Sequence, residues 1–265
     1  MVRYLSFLAG AAAGAFYYKE RRERIALQRL GAATLESLLD AIDANNAETG
    51  AHVRRVAQYA LTLACAADLD ERAQHRVERV ALFHDIGKID EAISDIVKES
   101  KKLTPEERRS IRMHPRRGAD VLRPLATFFP ELPDGVLSHH ERWDGKGYPR
   151  GLRGSAIPFE ARIVAIADTF DAVTEARAYS AARSLETAQK IIEKGRGTQF
   201  DPNLVDLFLS PPVTSDVARI MRREHAPRRT HGSRRKKASS SSIPDITFRW
   251  RSPSPLLRRA GLLRP

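Results

Sequence analysis

Residues 139–149 read His-His-Glu-Arg-Trp-Asp-Gly-Lys-Gly-Tyr-Pro. Two adjacent imidazoles suit a divalent metal, and the two glycines and proline that follow suit a turn shaping a substrate entrance. A second chemical unit, His84-Asp85, lies inside the apolar run Val80-Ala-Leu-Phe-His-Asp-Ile-Gly-Lys-Ile. A histidine and a carboxylate in a buried pattern need compensation, and a metal would offset the charge and fix both side chains. Neighbours on a helix diverge by about a third of a turn, so His84 and Asp85 can serve two metals with Asp85 bridging. His139 and His140 have the same relation. Asp168 stands in the mostly apolar run Ile163-Val-Ala-Ile-Ala-Asp, where an unpaired carboxylate is costly.

Glu48 and His52 are four apart and share a helical face, which an ordinary polar pair would also do. His114 precedes Pro115 at a helix start, a fixed backbone position. Nitrogen and oxygen donors without sulfur suit iron, manganese or zinc, and bridging carboxylates favour two or three ions. Lys88, three after Asp85 and beyond Gly87, could neutralise a phosphate oxygen as charge develops; an ordinary helix-end cation would sit there too.

The elements that must position these residues are helical. Apolar residues recur at three- to four-residue steps from Glu20 to about Ala44, Asn45-Asn46 breaks the pattern, and β-signals are scarce up to Leu209. Helices are expected over 51–68, 71–84, 104–112, 115–124, 131–142, 158–176, 184–194 and 201–209. Thr104-Pro105-Glu106-Glu107 and Asp201-Pro202 are helix starts with a capping residue followed by proline. The fold class expected is all-α. The organisation expected is an apolar segment over 1–20, a helix over 21–45, a catalytic domain over 46–212 and a basic, Ser/Arg-rich disordered tail over 213–265, with a helical start at 215–223.

The 265 residues carry a formal charge of +12, but residues 215–265 hold 14 Lys/Arg against 3 Asp/Glu. The folded body is therefore nearly neutral, and nucleic acid is not expected as its partner. The tail could meet an anionic membrane surface. The single cysteine, Cys65, excludes an internal disulfide and a thiolate zinc cluster, and its place in a helical pattern predicts a buried structural thiol.

Residues 4–18 are uncharged and followed by Lys19, Arg21, Arg22 and Arg24. They fall short of the ~20 residues that span a bilayer. A short anchor with its basic flank in the cytoplasm, a helix packed on a partner, and a misassigned start all fit this stretch. The location expected is cytoplasmic, with tethering to the inner membrane through residues 1–24 as one option.

The ordered series Thr49-x-x-His52, His84-Asp85-Ile-Gly-Lys88, Leu103-Thr-x-Glu-Glu107, His114-Pro115, the 139–149 block, Ile157-Pro158, Asp168, Phe170-Asp171-Ala172, Arg177 and Gln199-Phe-Asp-Pro202 resembles the HD-GYP group of HD-domain metal-dependent phosphohydrolases. The resemblance covers about residues 30–210. It implies an all-helical phosphodiesterase that hydrolyses cyclic di-GMP to pGpG or GMP through a metal-bridging hydroxide. The metal ligands it implies are His52, His84, Asp85, His114, His139, His140 and Asp168. Glu48 resembles a variant ligand for a third metal, with iron or manganese expected. Asp85 and Lys88 would be catalytic. Lys88, Arg177, Asp171, Gly145, Gly147, Tyr148 and Pro149 would meet the substrate, and the loop holding Tyr148 could also dock a protein partner.

Two segments depart from the family pattern. Residues 90–102 lack two prolines and a glycine, and Arg177-Ala-Tyr-Ser180 lacks a proline and a basic residue. A cyclic di-GMP sensor without turnover, or a hydrolase of another cyclic dinucleotide, are the alternative readings.

Overall fold

The computed structural model describes residues 2–88, 104–175 and 182–224. These residues form helices α1 (Val2–Asn45), α2 (Ala47–Ala66), α3 (Glu71–Phe83), α4 (Pro105–Ile111), α5 (His114–Leu122), α6 (Glu131–Ser138), α7 (Phe159–Thr174), α8 (Leu185–Lys194), α9 (Pro202–Phe208) and α10 (Pro211–Glu224). No strand occurs among the described residues; Arg196 and Phe200 make an isolated bridge. The all-α expectation holds.

Capping chemistry sets most boundaries. Asn46 accepts from the amides of Glu48 (2.9 Å) and Thr49 (3.2 Å), so α2 begins four residues earlier than its apolar pattern indicated. Thr104 and Glu107 form the reciprocal capping box expected of them. Ser184 and Asp201 cap α8 and α9 by accepting from the amides of Thr187 and Asn203, without the reciprocal bond.

Helix α2 runs through the centre. Val53, Val56, Ala57, Ala60, Leu63 and Ala64 are buried along it, and α1, α3, α7, α9 and α10 pack around it. Its Tyr59 meets Phe170 of α7 edge-on at 5.0 Å, and Phe170 meets Phe208 of α9 at 5.3 Å. This packing fixes α2 against α7, the two helices that carry His52 and Asp168.

Two expectations are corrected. The helical start expected at 215–223 is present in α10, but this helix belongs to the packed body and carries it past residue 212: Val213, Val217 and Ile220 recur at helical spacing and are buried at 3%, 1% and 1%. The tail from 225 lies outside the described residues. Cys65 is exposed, on the side of α2 away from Val56. The apolar 4–18 stretch is the start of α1, and no helix among the described residues is long and apolar enough to cross a membrane. The charges from Lys19 onward end the apolar run too soon.

Candidate metal centre

Helix α2 presents His52, the turn after α3 presents His84 and Asp85, α5 begins on His114, the turn after α6 presents His139 and His140, and α7 presents Asp168. Gly87 allows the second and third of these to meet. A Cβ there would lie 2.1 Å from the His114 carbonyl oxygen and 2.7 Å from the Gly118 amide nitrogen. Only hydrogen at this position lets the first turn of α5 lie against the 84–88 turn.

The ligand atoms form two groups of three: His52, His84 and Asp85, and His114, His139 and His140. Asp85 joins them. Its Oδ2 lies 3.7 Å from His52 Nε2 and 3.5 Å from His84 Nε2, and its Oδ1 lies 3.3 Å from His114 Nε2. Asp168 Oδ1 adds a carboxylate to the first group, 3.4 Å from His52 Nε2 and 3.8 Å from His84 Nε2. Lys88 Nζ donates to Asp85 Oδ2 at 2.8 Å.

Four imidazoles are held from behind. His84, His114 and His139 each donate from Nδ1 to the carbonyl three residues earlier, on Ala81 (2.8 Å), Ile111 (2.7 Å) and Val136 (2.6 Å). His52 donates from Nδ1 to Asp171 Oδ2 at 2.7 Å. With the proton on Nδ1, a neutral imidazole so anchored turns its Nε2 lone pair into the centre; His52, bonded to a carboxylate through each nitrogen, does so only when its Nε2 proton has left. His114 Nε2 and His139 Nε2 then face each other at 3.1 Å. Two lone pairs at that distance repel unless a cation lies between or beside them.

His84 Nε2 and Asp85 Oδ1 are buried without a hydrogen-bond partner. Unsatisfied atoms, an all-nitrogen-and-oxygen donor set and Nδ1 anchoring together fit divalent metal. They would let His52, His84, Asp85, His114, His139, His140 and Asp168 hold it.

Charge is distributed accordingly. Burial favours the neutral form of Asp85, but Lys88, His84 and His114 outweigh it and hold the carboxyl well below its usual range. Asp168 is likewise lowered: burial opposes ionisation, and the hydrogen bond from His52 and the nearby imidazoles win. Burial lowers His140 to about 3 and holds His139 well below the ordinary imidazole range, the neighbouring imidazoles adding to it, while His84 is lowered chiefly by burial. His52 goes the other way, to about 9, because its bonds to Asp168 and Asp171 overcome burial.

Glu48 is exposed in the first turn of α2, which the Asn46 cap starts, and is in neither group of three. One expected assignment is corrected. Asp171 is fully buried behind His52, where it also accepts from Arg55 Nε (2.7 Å) and Nη2 (3.0 Å), so it positions a ligand and does not face substrate. Its place three residues after Asp168, in the same apolar helix, was the available signal. Arg177 and all of residues 90–102 lie outside the described residues.

The 142–152 loop is built as a rigid wall. Glu141, buried, accepts from the amides of Arg150 (2.7 Å) and Leu152 (3.0 Å). The Trp143 and Asp144 amides donate to the carbonyls of Gln199 (3.2 Å) and Thr198 (2.8 Å), which accounts for the 199–202 motif. A Cβ on Gly147 would meet the Arg142 amide nitrogen at 2.4 Å, and Gly145 has φ +78. Tyr148 is thereby laid on His140, with ring centroids 4.9 Å apart and planes at 27°, and Pro149 follows it in the wall. Sequence reasoning did not single out Glu141; its carboxylate among loop residues carried no periodic signal.

Residues 36–204 match a family described as HD domain. The chain is 40% identical over 178 residues to a cyclic di-GMP phosphodiesterase response regulator of Xanthomonas campestris pv. campestris, covering 66% of this chain and 47% of that protein. It is 37% identical over 175 residues to 3'3'-cGAMP-specific phosphodiesterase 2 of Vibrio cholerae, covering 65% and 33%. The chain thus spans half or less of these relatives. A crystal structure of a cyclic GMP-AMP specific phosphodiesterase of Vibrio cholerae superposes with TM-score 0.50 at 25% identity, covering 71% of this chain and 52% of that one.

Proposed function

This chain belongs to the HD-domain family, in its HD-GYP group, and from that premise we propose that it is a metal-dependent phosphodiesterase acting on cyclic di-GMP. The observation that carries the reading is Asp85, one carboxylate reaching both ligand groups. Two divalent cations fit the paired groups by donor type, and the family resemblance makes iron or manganese the choice. A third ion held through Glu48, exposed one helical turn before His52, stays an expectation beside this pair. When bound, such ions supply Lewis acidity and a nucleophilic oxygen near neutral pH.

The chain's own residues do the rest. The anchored imidazoles fix the geometry in advance, so no reorganisation accompanies reaction. Lys88, 27% exposed on its side chain and bonded to Asp85, is close enough to shift toward a phosphate oxygen as negative charge develops. Tyr148 and the loop behind it form the wall against which the nucleotide lies. Arg177 is proposed as a further phosphate or guanine contact.

A second reading keeps the chemistry and changes the substrate to a mixed cyclic dinucleotide, favoured by the similarity to a 3'3'-cGAMP-specific enzyme. One experiment addresses both. Anaerobically purified protein, loaded with iron or manganese, is incubated with cyclic di-GMP and with 3'3'-cGAMP, and products are resolved by chromatography. Loss of cyclic di-GMP to pGpG or GMP is expected. Selective loss of 3'3'-cGAMP establishes the second reading, and both substrates left intact refute hydrolysis.

A further inference from the structure

Beside the metal centre stands a cation that the proposed reaction has not used. Arg112, exposed at the end of α4 and two residues before His114, places its guanidinium carbon 4.5 Å from the centroid of the Tyr148 ring. Tyr148 in turn stacks on His140 at 4.9 Å. The order guanidinium, phenol, imidazole leads from solvent to the ligand group. Among the described residues no carboxylate pairs with Arg112, nor with Arg109 or Arg116, the exposed arginines beside it in sequence. The other exposed arginine–acid contacts show the contrast: Arg123 is paired with Asp120, and Arg196 with Asp206.

An arginine at a rim ordinarily swings freely at an entropic cost to whatever it binds. Stacking on an aromatic face removes much of that freedom and keeps the charge, while the guanidinium edge retains its N–H donors. The tyrosine is itself fixed by the loop that Glu141 closes. A fixed, unpaired arginine is a preorganised site for an anion, and phosphate matches its fork of donors.

We infer that Arg112, seated on Tyr148, binds the phosphate of the nucleotide that is not being cleaved. It is a specificity residue for substrates carrying two phosphates. This deepens the proposed activity and rests on it: one phosphodiester lies among the imidazoles while the second, a nucleotide away, meets the guanidinium. The same contact would retain a linear dinucleotide product by its remaining internal phosphodiester, the one that was not cut.

The test compares wild type with Arg112→Ala and Arg112→Lys on two substrates, cyclic di-GMP and bis(p-nitrophenyl) phosphate, the latter having one phosphate only. Arg112 is exposed and terminal to its helix, so both variants should keep the wild-type Tm. For Arg112→Ala, KM for cyclic di-GMP should rise roughly tenfold or more with kcat nearly unchanged, as expected for losing a charge-assisted contact. Cleavage of bis(p-nitrophenyl) phosphate should be unaffected, and Arg112→Lys should recover part of the loss. Tyr148→Leu, which removes the seat and keeps the charge, should raise KM for cyclic di-GMP by a smaller factor.

Equal losses on both substrates would overturn the inference, since Arg112 would then act on the loop and not on the second phosphate. An unchanged KM in Arg112→Ala would also overturn it. Wild-type protein that cleaves bis(p-nitrophenyl) phosphate but neither cleaves nor binds cyclic di-GMP refutes the proposed substrate, and the inference with it.

Discussion

Substituting Gly87 by alanine tests whether the approach of α5 to the 84–88 turn creates the metal centre. The new Cβ would lie 2.1 Å from the His114 carbonyl oxygen, 2.7 Å from the Gly118 amide nitrogen and 3.0 Å from the His114 carbonyl carbon. All three are backbone atoms, so no side chain can rotate away. Restoring ordinary contact requires α5 and the turn to part by about 1 Å. The Asp85–His114 approach, 3.3 Å, lies across this seam, and His114 also meets His139 at 3.1 Å. Parting of that size removes His114 from the shared geometry. Overpacking should cost about 1–3 kcal/mol of stability, and misplacement by this distance should lower kcat about 100-fold. The assay is metal stoichiometry by elemental analysis, beside kcat and a urea melt. Folded Gly87→Ala protein with full metal content and wild-type kcat would refute the claim that this contact sets the site.

Three further outcomes are expected. Asp171→Asn should weaken metal binding roughly 10- to 100-fold, because His52 loses the partner that fixes its Nδ1 proton; direct metal titration of chelator-treated protein reads this. Glu141→Gln should lower stability by about 1–3 kcal/mol and open the 142–152 loop to limited proteolysis, since two backbone amides lose a carboxylate acceptor. Metal-free protein should show a bell-shaped dependence of Tm on pH. His52 has a folded pKa raised to about 9, so its contribution is complete below its unfolded value and is lost as pH climbs through about 9. His140 has a folded pKa lowered to about 3, with His84 and His139 also lowered, so the unfolded chain takes up more protons and stability falls as pH drops below about 6.5. A flat profile in the presence of chelator would contradict these charge assignments.

The helical class and most boundaries were legible because they depend on neighbours in sequence. Apolar periodicity marks α2 and α7, and Thr104 with Glu107 marks the start of α4. Legibility failed where a local signal was overridden. The helical start expected at 215–223 is present, but that α10 packs onto the body through Val213, Val217 and Ile220 was not legible beside so basic a tail. Cys65 fell in an apolar pattern yet faces outward. Both errors arise because periodicity gives a face but not which partner covers it.

For the metal centre, the sequence by itself determined the chemical inventory: five imidazoles and two carboxylates in places where apolar residues belong, with a lysine beside them. It could not decide which of the carboxylates converge, because that depends on how helices far apart in the chain cross. Glu48, Asp168 and Asp171 look equivalent as spacings from a histidine or from each other. Packing of α2 against α7 sends Asp168 into the centre and puts Asp171 behind His52, while Glu48 is exposed. Local sequence sets what each residue can bind; the distances that make a shared ion possible come from long-range packing alone.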